Sequence, residues 1–484
     1  MRKQREFIMK DKDFRYFAFF RRLGLACALI AVVVFAGAVP SAAQSLPSTR
    51  NLAEPIAGSS DAYNTTVDYV TTFYPLWFTY YQARVDDLIG TTNMMVAPKT
   101  VSPIYHFVVA INTDTLYSSV YFDLTAEPVV VTIPPNPDRV PFSTLVLDGY
   151  GNEIPAEIST TAPGVYAFTG PDFQGTLPAG VTRMPMPINY PSLYVRTVKF
   201  NALENAEKFR AALKTQTLSK YLVDPAGGAT KILDEKVFAV PFKTTADTLN
   251  ANTPIAFLKS LQIAVEAPNT PPMSEKERGL ADRFNSLFGN GNTQLSEFRA
   301  GAQKAHELIV SNYLTKTGAT NWIHFRNIGD WDPEVPADVL DRSSITQYFQ
   351  LANSLSTAAY YHAFNDGAGS PLDGSNRQVY VLKFRADQIP AAKRFWSLTA
   401  YTPNTIELVR NEFDKYAVAS YTPGLHYDPV DGSLTVYMSA EPPHGVPIAN
   451  WLPVPEGKFN IALRVYGPDG DVASGAYVPP AVWK

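Results

Sequence analysis

Hydrophobic and polar positions change their period along the chain, and each change predicts a different kind of secondary structure. From Thr66 to Leu88 the apolar and aromatic residues recur every three or four positions, which is typical of an amphipathic helix. Pro75 lies inside this stretch and predicts either a kink or a first helical turn. After Pro98 the period becomes two, which favours short β-strands separated by turn residues.

The first β-rich region is followed by a long stretch of helical periodicity. Its strands are predicted at 117–123, 128–133, 142–147, 164–168 and 192–198. Their short, even spacing suits an antiparallel sandwich. Helices are predicted at 203–217, 255–265, 274–288, 296–314 and 345–363. Ser274 and Glu277 have the spacing of a capping box, which marks a helix start.

The chain ends in a second β-rich region with many aromatic side chains. Strands are predicted there at 379–384, 395–401, 431–437, 450–455 and 459–468. The segment 366–374 is rich in turn residues and connects the helical stretch to this region. The periodicity alone therefore predicts the order β, α, β and a multidomain α+β chain.

Residues 1–43 are typical of a secretory signal peptide. Arg21 and Arg22 precede seventeen almost wholly apolar positions, from Leu23 to Val39, and small residues then end at Ala43. A retained anchor is the alternative, since such a run just spans a bilayer core of about 30 Å. The small residues favour cleavage after Ala43. We therefore predict a periplasmic or secreted protein without a stable membrane anchor, in which residues 44–63 form a flexible lead.

Composition narrows the chemistry of the exported chain. Cys27 is the only cysteine and lies within the apolar run, so cleavage leaves no thiol for a disulfide, a nucleophile or a zinc–sulfur site. Cleavage also removes eight Lys/Arg and three Asp/Glu, leaving 33 basic and 42 acidic residues and a net charge of −9. A phosphate backbone repels such a surface, so nucleic acid is not a predicted partner.

Two segments carry the candidate binding residues. In the first β-rich region, Asn112, Asp114 and Tyr117 form an Asn-x-Asp-Thr-Leu-Tyr turn at a strand start, where Asx-turns are expected. Their structural role as turn formers and a role in ligand recognition are both open. In the second region, alternation places Trp396 on one strand face and Tyr401 on the other, and Asn411 follows in a polar segment.

These two segments together resemble a bacterial family with two modules, the domains of unknown function DUF1254 at the N-terminus and DUF1214 at the C-terminus. The resemblance implies an N-terminal antiparallel β-sandwich at 64–201, a helical insert at 202–375 and a C-terminal jelly-roll-like domain at 376–484. It implies no activity. Where the family tends to have an Arg-Tyr pair, this chain has Lys415-Tyr416, which removes a bidentate contact there.

Known catalytic templates do not occur in the sequence. The six histidines lack the His-x-His and His-x₃-His spacings of metal sites, and no Gly-x-Ser-x-Gly motif is present. No metal and no cofactor is predicted. The segment Asn321–Asp332 combines two Trp, one His, one Arg and two Asp, so it is either a ligand-site border or an ordered linker.

Two functions from different classes remain open. The first is binding of a small molecule or carbohydrate in an aromatic-lined interdomain cleft, built from Asn112, Asp114, Tyr117, Trp396, Tyr401 and Asn411. The alternative is a glycosidase-like hydrolase that uses Asp or Glu with Tyr or His in the same cleft. A glycosidase needs two carboxylates at a defined separation, which a sequence does not reveal.

Overall fold

The computed structural model describes residues 60–199, 202–289 and 294–484. The predicted signal peptide and most of the predicted lead therefore lie outside the described residues. Within the described ranges, no helix is both long and apolar enough to cross a membrane.

The N-terminal β-rich region forms two sheets. One has the strand order β4-β7-β2-β1-β9 and the other β6-β5-β3-β8. The strands are β1 (Val96–Pro98), β2 (Thr115–Tyr121), β3 (Val129–Ile133), β4 (Phe142–Leu147), β5 (Gly164–Thr169), β6 (Thr182–Pro185), β7 (Ser192–Val198), β8 (Lys214–Thr217) and β9 (Lys231–Leu233). Most pairs are antiparallel, while β1–β9 and β5–β6 are parallel. Residues from both sheets share one apolar core.

Helices fill the space between the two β-rich regions. They are α1 (Asp61–Leu88), α2 (Leu203–Ala212), α3 (Leu218–Val223), α4 (Phe242–Asn252), α5 (Pro254–Val265), α6 (Glu275–Gly289), α7 (Leu295–Thr315) and α8 (Pro336–Phe349). Helix α1 continues through Pro75 and packs against α5, α6, α7 and α8. The capping box at the start of α6 is confirmed, since Ser274 and Glu277 each bond the other's backbone N–H.

The C-terminal region also forms two sheets with a common core. Their strand orders are β10-β11-β17-β13-β14 and β16-β15-β12-β18. The strands are β10 (Trp322–Ile323), β11 (Ala358–Ala363), β12 (Tyr380–Phe384), β13 (Ala392–Tyr401), β14 (Ala417–Ala419), β15 (Leu434–Ser439), β16 (Trp451–Pro453), β17 (Asn460–Pro468) and β18 (Val482–Trp483), with the short helix α9 (Gly470–Ala473) after β17. The chain is therefore a mixed α+β multidomain protein.

The helix predicted at 345–363 is wrong in its second half. Helix α8 ends at Phe349, Leu351 has a left-handed φ of 62°, and β11 begins at Ala358. Every residue of β11 is buried because the strand lies inside the sheet, next to β17. A strand buried on both faces shows no alternation, so its two alanines were taken for helix formers.

The middle region also contributes strands to the sheets on both sides. The helix predicted at 203–217 ends at Ala212, and β8 then pairs with β3. On the other side, β11 pairs with β17 along its whole length. The predicted boundaries near 202 and 375 therefore fall between segments that share sheets.

Candidate functional site

Asn112 holds the turn that opens β2. Its Oδ1 accepts hydrogen bonds from the backbone N–H groups of Asp114 and Thr115, at 2.9 and 3.2 Å. The predicted Asx-turn is thus present. Its Nδ2 donates to the hydroxyl of Tyr466 at 2.7 Å. The buried Asn112 therefore both closes the turn and connects the N-terminal sheet to β17.

Asp114 is fully buried and contacts the C-terminal region. Ser397 Oγ donates to Asp114 Oδ2 at 2.7 Å, and the hydroxyl of Tyr421 donates to Oδ1. These donors offset part of the cost of removing a carboxylate from water. Asp114 is therefore a hydrogen-bonded contact between the two β-rich regions.

Strand β13 has the predicted alternation. Trp396 lies in the core between the two C-terminal sheets, whereas Tyr401 points to the opposite face, in the central core. The hydroxyl of Tyr401 donates to the carbonyl of Ile111 at 2.8 Å. Burial raises the pKa of Tyr401 to about 12, so this hydroxyl keeps its proton at neutral pH. Trp396 and Tyr401 consequently do not share a site.

Asn411 closes a surface loop. Its Oδ1 accepts from the backbone N–H groups of Phe413 and Lys415, both at 3.1 Å, and its Nδ2 donates to the Lys415 carbonyl at 3.0 Å. All of its bonding capacity is directed to its own loop. The structure therefore brings four of the six predicted residues together, Asn112, Asp114, Tyr117 and Tyr401, and leaves Trp396 and Asn411 elsewhere.

A nearly enclosed cavity of about 60 Å³ lies where the four grouped residues meet, between β2, β7, the end of α8 and β17. Asn112 and Tyr117 line it, while Asp114 and Tyr401 are bonded to residues of its wall. Arg196 and Arg464 line it as well. We call this space the arginine cavity.

Both arginines of the cavity are buried, with exposed fractions of 6% for Arg196 and 1% for Arg464. Arg196 donates to Asn353 Oδ1 at 2.8 Å and to the Leu351 carbonyl. Arg464 donates to the Ala110 carbonyl, while its Nη1 has no partner among the described residues. Burial lowers the pKa of Arg464, but nearby tyrosines and Asp114 outweigh burial and raise it. The guanidinium is therefore charged.

Ala110 adopts a strained backbone conformation next to Arg464. Its φ of 51° lies in the left-handed region, which costs a non-glycine residue about 1 kcal/mol or more. Its carbonyl accepts from both Arg464 and Tyr401, and its N–H donates to the Ile406 carbonyl at 2.9 Å. These bonds to the C-terminal region hold the strained turn in place.

A larger, open cleft of about 730 Å³ lies between the helices and the C-terminal sheets. Helices α4, α7 and α8 form one wall, and the segments after β11, after β13 and before β17 form the other. Its rings and amides belong to Tyr348, Phe364, Phe459, Asn250, Gln303, Gln347, Asn365 and Asn404. We call this space the open cleft.

Asp247 is the centre of a hydrogen-bond network in the wall of the open cleft. Lys243 Nζ lies 2.6 Å from Oδ2, while His306 Nε2 and Gln347 Nε2 lie 3.0 and 2.7 Å from Oδ1. Tyr74 donates in turn to Gln347 Oε1 at 2.6 Å. Burial raises the pKa of Asp247, but His306 and Lys243 outweigh burial and lower it to about 2.

This network fixes the roles of its members. Because Asp247 is ionised at neutral pH, it only accepts, and the amide of Gln347 and Nε2 of His306 donate to it. No hydrogen bond from the described part of the chain reaches His306 Nδ1. Among the described residues, no group of three or more His, Cys, Asp and Glu is placed to hold a metal ion.

The segment Asn321–Asp332 packs between the regions. Trp322 Nε1 donates to the Pro480 carbonyl at 2.8 Å, and His324 Nδ1 lies 2.8 Å from the Tyr360 carbonyl. The Gly329 carbonyl accepts from the backbone of Glu153 at 2.8 Å. None of its residues is among those that line the arginine cavity or the open cleft. This geometry favours the ordered linker of the two interpretations.

Sequence reasoning missed the charged residues of both spaces. Lys243 and Asp247 have the i, i+4 spacing of an ion pair on one helix face, which is a visible but unspecific pattern. Arg196 and Arg464 alternate with apolar neighbours, so the sequence did not reveal that both point into one cavity. Their meeting depends on the contact between β7 and β17 through distant parts of the chain.

The fold and the two spaces define a two-module α+β protein, and family models identify both modules. A model described as "Protein of unknown function (DUF1254)" matches residues 92–217, and one described as "Protein of unknown function (DUF1214)" matches residues 357–470. The chain is therefore a two-domain protein of unknown function with an N-terminal DUF1254 and a C-terminal DUF1214 domain, as the resemblance implied.

Solved structures share the fold. The VPA0106 protein from Vibrio parahaemolyticus is 23% identical, covers 87% of this chain and 99% of its own, and has a TM-score of 0.56. A putative uncharacterized protein from Burkholderia cenocepacia is 14% identical, covers 97% of this chain and 95% of its own, and has a TM-score of 0.40. The comparison with curated proteins found no match.

Proposed function

We propose that this protein is exported and binds a neutral, sugar-sized ligand in the open cleft. The observation that carries the proposal is the convergence of aromatic rings and amide side chains around about 730 Å³ of open space. This volume lies within the range of about 300–1,000 Å³ for small-molecule sites, which occur preferentially between domains. Rings such as Phe364 and Tyr348 offer apolar faces, and amides offer both donors and acceptors.

The amides supply unspent hydrogen-bonding capacity at the cleft. Asn250 Oδ1 is buried and has no partner among the described residues. The side chains of Asn365 and Asn404 make no hydrogen bond to any residue in the described ranges. A ligand with hydroxyl groups satisfies such donors and acceptors in pairs.

The charges of the cleft favour a neutral ligand. Lys243 is buried and paired with Asp247, which His306 and Gln347 also contact. The network therefore balances its main charges without a ligand. Of the residues that line the cleft, Lys458 is the charged group outside this network.

The hydrolase alternative has one specific observation in its favour. Asp247 orients His306 through Nε2, which leaves Nδ1 as the nitrogen available to accept a proton from water, the arrangement of a general base. Asp247 is, however, the one carboxylate among the residues lining the cleft, and a glycosidase uses two. Binding therefore remains the better supported function.

The export part of the proposal is supported by the sequence of residues 1–43. Mass spectrometry of the exported protein should find a mature N-terminus near Gln44, in the periplasm or outside the cell. Recovery of residues 1–43 on that protein would contradict it. The net charge of −9 after cleavage also supports a ligand other than nucleic acid.

The finer architecture implied by the resemblance belongs to the same proposal. We take the paired N-terminal sheets as a β-sandwich and the paired C-terminal sheets as jelly-roll-like. The cores shared between the sheets of each pair support this assignment.

A thermal-shift screen tests the binding proposal. The probes are glucose, galactose, N-acetylglucosamine, maltose and cellobiose, and at least one should raise Tm in a saturable way because binding stabilises the folded state. Asn404→Ala should weaken that response about three- to tenfold, the worth of one hydrogen bond. Asn269→Ala, outside the cleft, is the matched control. An absence of any saturable shift, or equal responses from all three proteins, would contradict the proposal.

A further inference from the structure

We propose that the arginine cavity is a second, separate binding site, for a small carboxylate. The site consists of Arg196 and Arg464 with the hydroxyl groups of Tyr360 and Tyr466. It shares no lining residue with the open cleft. The proposal therefore stands independently of the sugar-binding function.

The first argument is the absence of a carboxylate contact to either arginine. No Asp or Glu oxygen in the described ranges lies within ion-pair distance of Arg196 or Arg464, whose bonds go to amide and carbonyl oxygens. Arg342 is equally buried, with an exposed fraction of 1%, and has Glu277 at 3.0 Å. Charged groups are rarely buried without such a partner. The missing partner of the cavity arginines is thus an anion from outside the chain.

The second argument is the unpartnered nitrogen of Arg464. Nη1 is buried without a hydrogen bond among the described residues. Since Arg464 lines the cavity and Arg196 lies on its wall as well, two guanidinium groups converge there. Carboxylates match the planar donor geometry of guanidinium.

Two tyrosine hydroxyl groups complete the donor set. The hydroxyl of Tyr466 accepts from Asn112 Nδ2 at 2.7 Å, and that of Tyr360 accepts from Asn353 Nδ2 at 2.7 Å. A hydroxyl that accepts still has its own proton to donate. No acceptor for either proton is found in the described part of the chain. Both groups line the cavity, so both protons are available to an anion.

Asp86 is the acidic residue in the cavity lining, and it does not fill the role of counter-ion. Thr91 donates to Asp86 Oδ1 at 2.6 Å, and no ion pair joins Asp86 to Arg196 or Arg464. Asp114 is near enough to interact with Arg464 through space but is held by Ser397 and Tyr421. The positive charge next to the cavity is therefore only partly balanced.

The volume limits the size of the anion. A cavity needs about 10–15 Å³ by this measure for each water molecule, so about 60 Å³ holds roughly four water-sized groups. Formate and acetate fit this limit, and benzoate does not. The size limit separates a built site from general attraction of anions.

Thermal-shift titrations with formate, acetate and benzoate test the site, at ionic strength held constant with sodium chloride. Acetamide serves as the neutral isostere of acetate. Formate or acetate should raise Tm in a saturable way, while acetamide and benzoate should not. Equal behaviour of acetate and chloride, or an equal shift from benzoate, would overturn the proposal.

Conservative variants locate the effect. Arg464→Lys keeps the charge but loses the planar donor pair, and should weaken acetate binding about tenfold or more. Arg196→Lys makes the same test where Arg464→Lys fails to fold. Arg183→Lys, at an exposed position, is the matched control and should bind as the unmodified protein does. Unchanged acetate affinity in the cavity variants would overturn the proposal, whatever the sugar screen shows.

Discussion

The open cleft and the arginine cavity each contain a carboxylate, and the two carboxylates behave in opposite ways. Lys243 and His306 contact Asp247 in the open cleft and lower its pKa to about 2. Asp86 in the arginine cavity is dominated by burial, which raises its pKa to about 6. The cleft therefore balances its charges within the protein, whereas the cavity has positive and negative groups that do not pair. Charge pairing, more than volume, distinguishes the kind of ligand each space favours.

The largest expected effect comes from breaking the network of the open cleft. Asp247→Asn leaves the buried ammonium of Lys243 without its counter-ion, and should lower the free energy of unfolding by about 3 kcal/mol. Urea denaturation at neutral pH measures the loss. The control is Glu204→Gln, which breaks an exposed ion pair of the same i, i+4 spacing with Lys208 and should change nothing measurable. Equal effects of the two substitutions would show that burial does not matter here.

Acid should remove the same contribution in the unmodified protein. The pKa of Asp247 falls from 3.8 to about 2 on folding, so its contribution is present above pH 3.8 and is lost as the pH falls through about 2. The loss should amount to about 2 kcal/mol. Denaturation curves between pH 5 and 2 should therefore converge for the unmodified protein and Asp247→Asn. Parallel curves would contradict the assigned pKa.

Asp86 should show the opposite dependence on pH. Its pKa rises from 3.8 to about 6 on folding, so its contribution is present below pH 3.8 and is lost as the pH rises through 6. Asp86→Asn should therefore stabilise the protein at pH 8, by about 2 kcal/mol, and by less at pH 4. Asp172→Asn, at an exposed position, should leave both values unchanged. Destabilisation by Asp86→Asn at pH 8 would show that its charge is compensated.

The smallest effect is expected at the edge of the cleft network. Tyr74→Phe removes the hydrogen bond to Gln347 and leaves a buried amide oxygen without a donor, which should cost about 1 kcal/mol. Tyr416→Phe removes a bond from a partly exposed hydroxyl to Asp414 and serves as the control. A loss as large as that of Asp247→Asn would mean that Gln347 orients the whole network.

The sequence predicted local structure better than long-range contact. The strands 142–147 and 192–198 and the turn at Asn112 follow from alternation and Asx chemistry, which involve neighbours in the chain. Strand β11 was missed because complete burial removes its alternation. Asp114 and Ser397 are 283 positions apart, and no local pattern reveals their bond.

The same limit applies to the candidate sites. Asn112 and Tyr117 were identified by a turn motif and do line a cavity. Trp396 and Asn411 were chosen for residue type, and neither a core tryptophan nor a loop-closing asparagine has a distinct sequence pattern. The open cleft needs three helices and three connecting segments to meet, so it became visible only in the structure.

The central claim is that the open cleft holds the ligand, and a crystal structure with a bound saccharide tests it most directly. Crystals soaked with the sugar that gives the largest thermal shift should show it against Phe364 and Tyr348, with hydroxyl groups at Asn365 and Asn404. Asn404→Ala crystals under the same conditions should show weaker occupancy. A sugar found at another surface while the cleft contains only water would contradict the account.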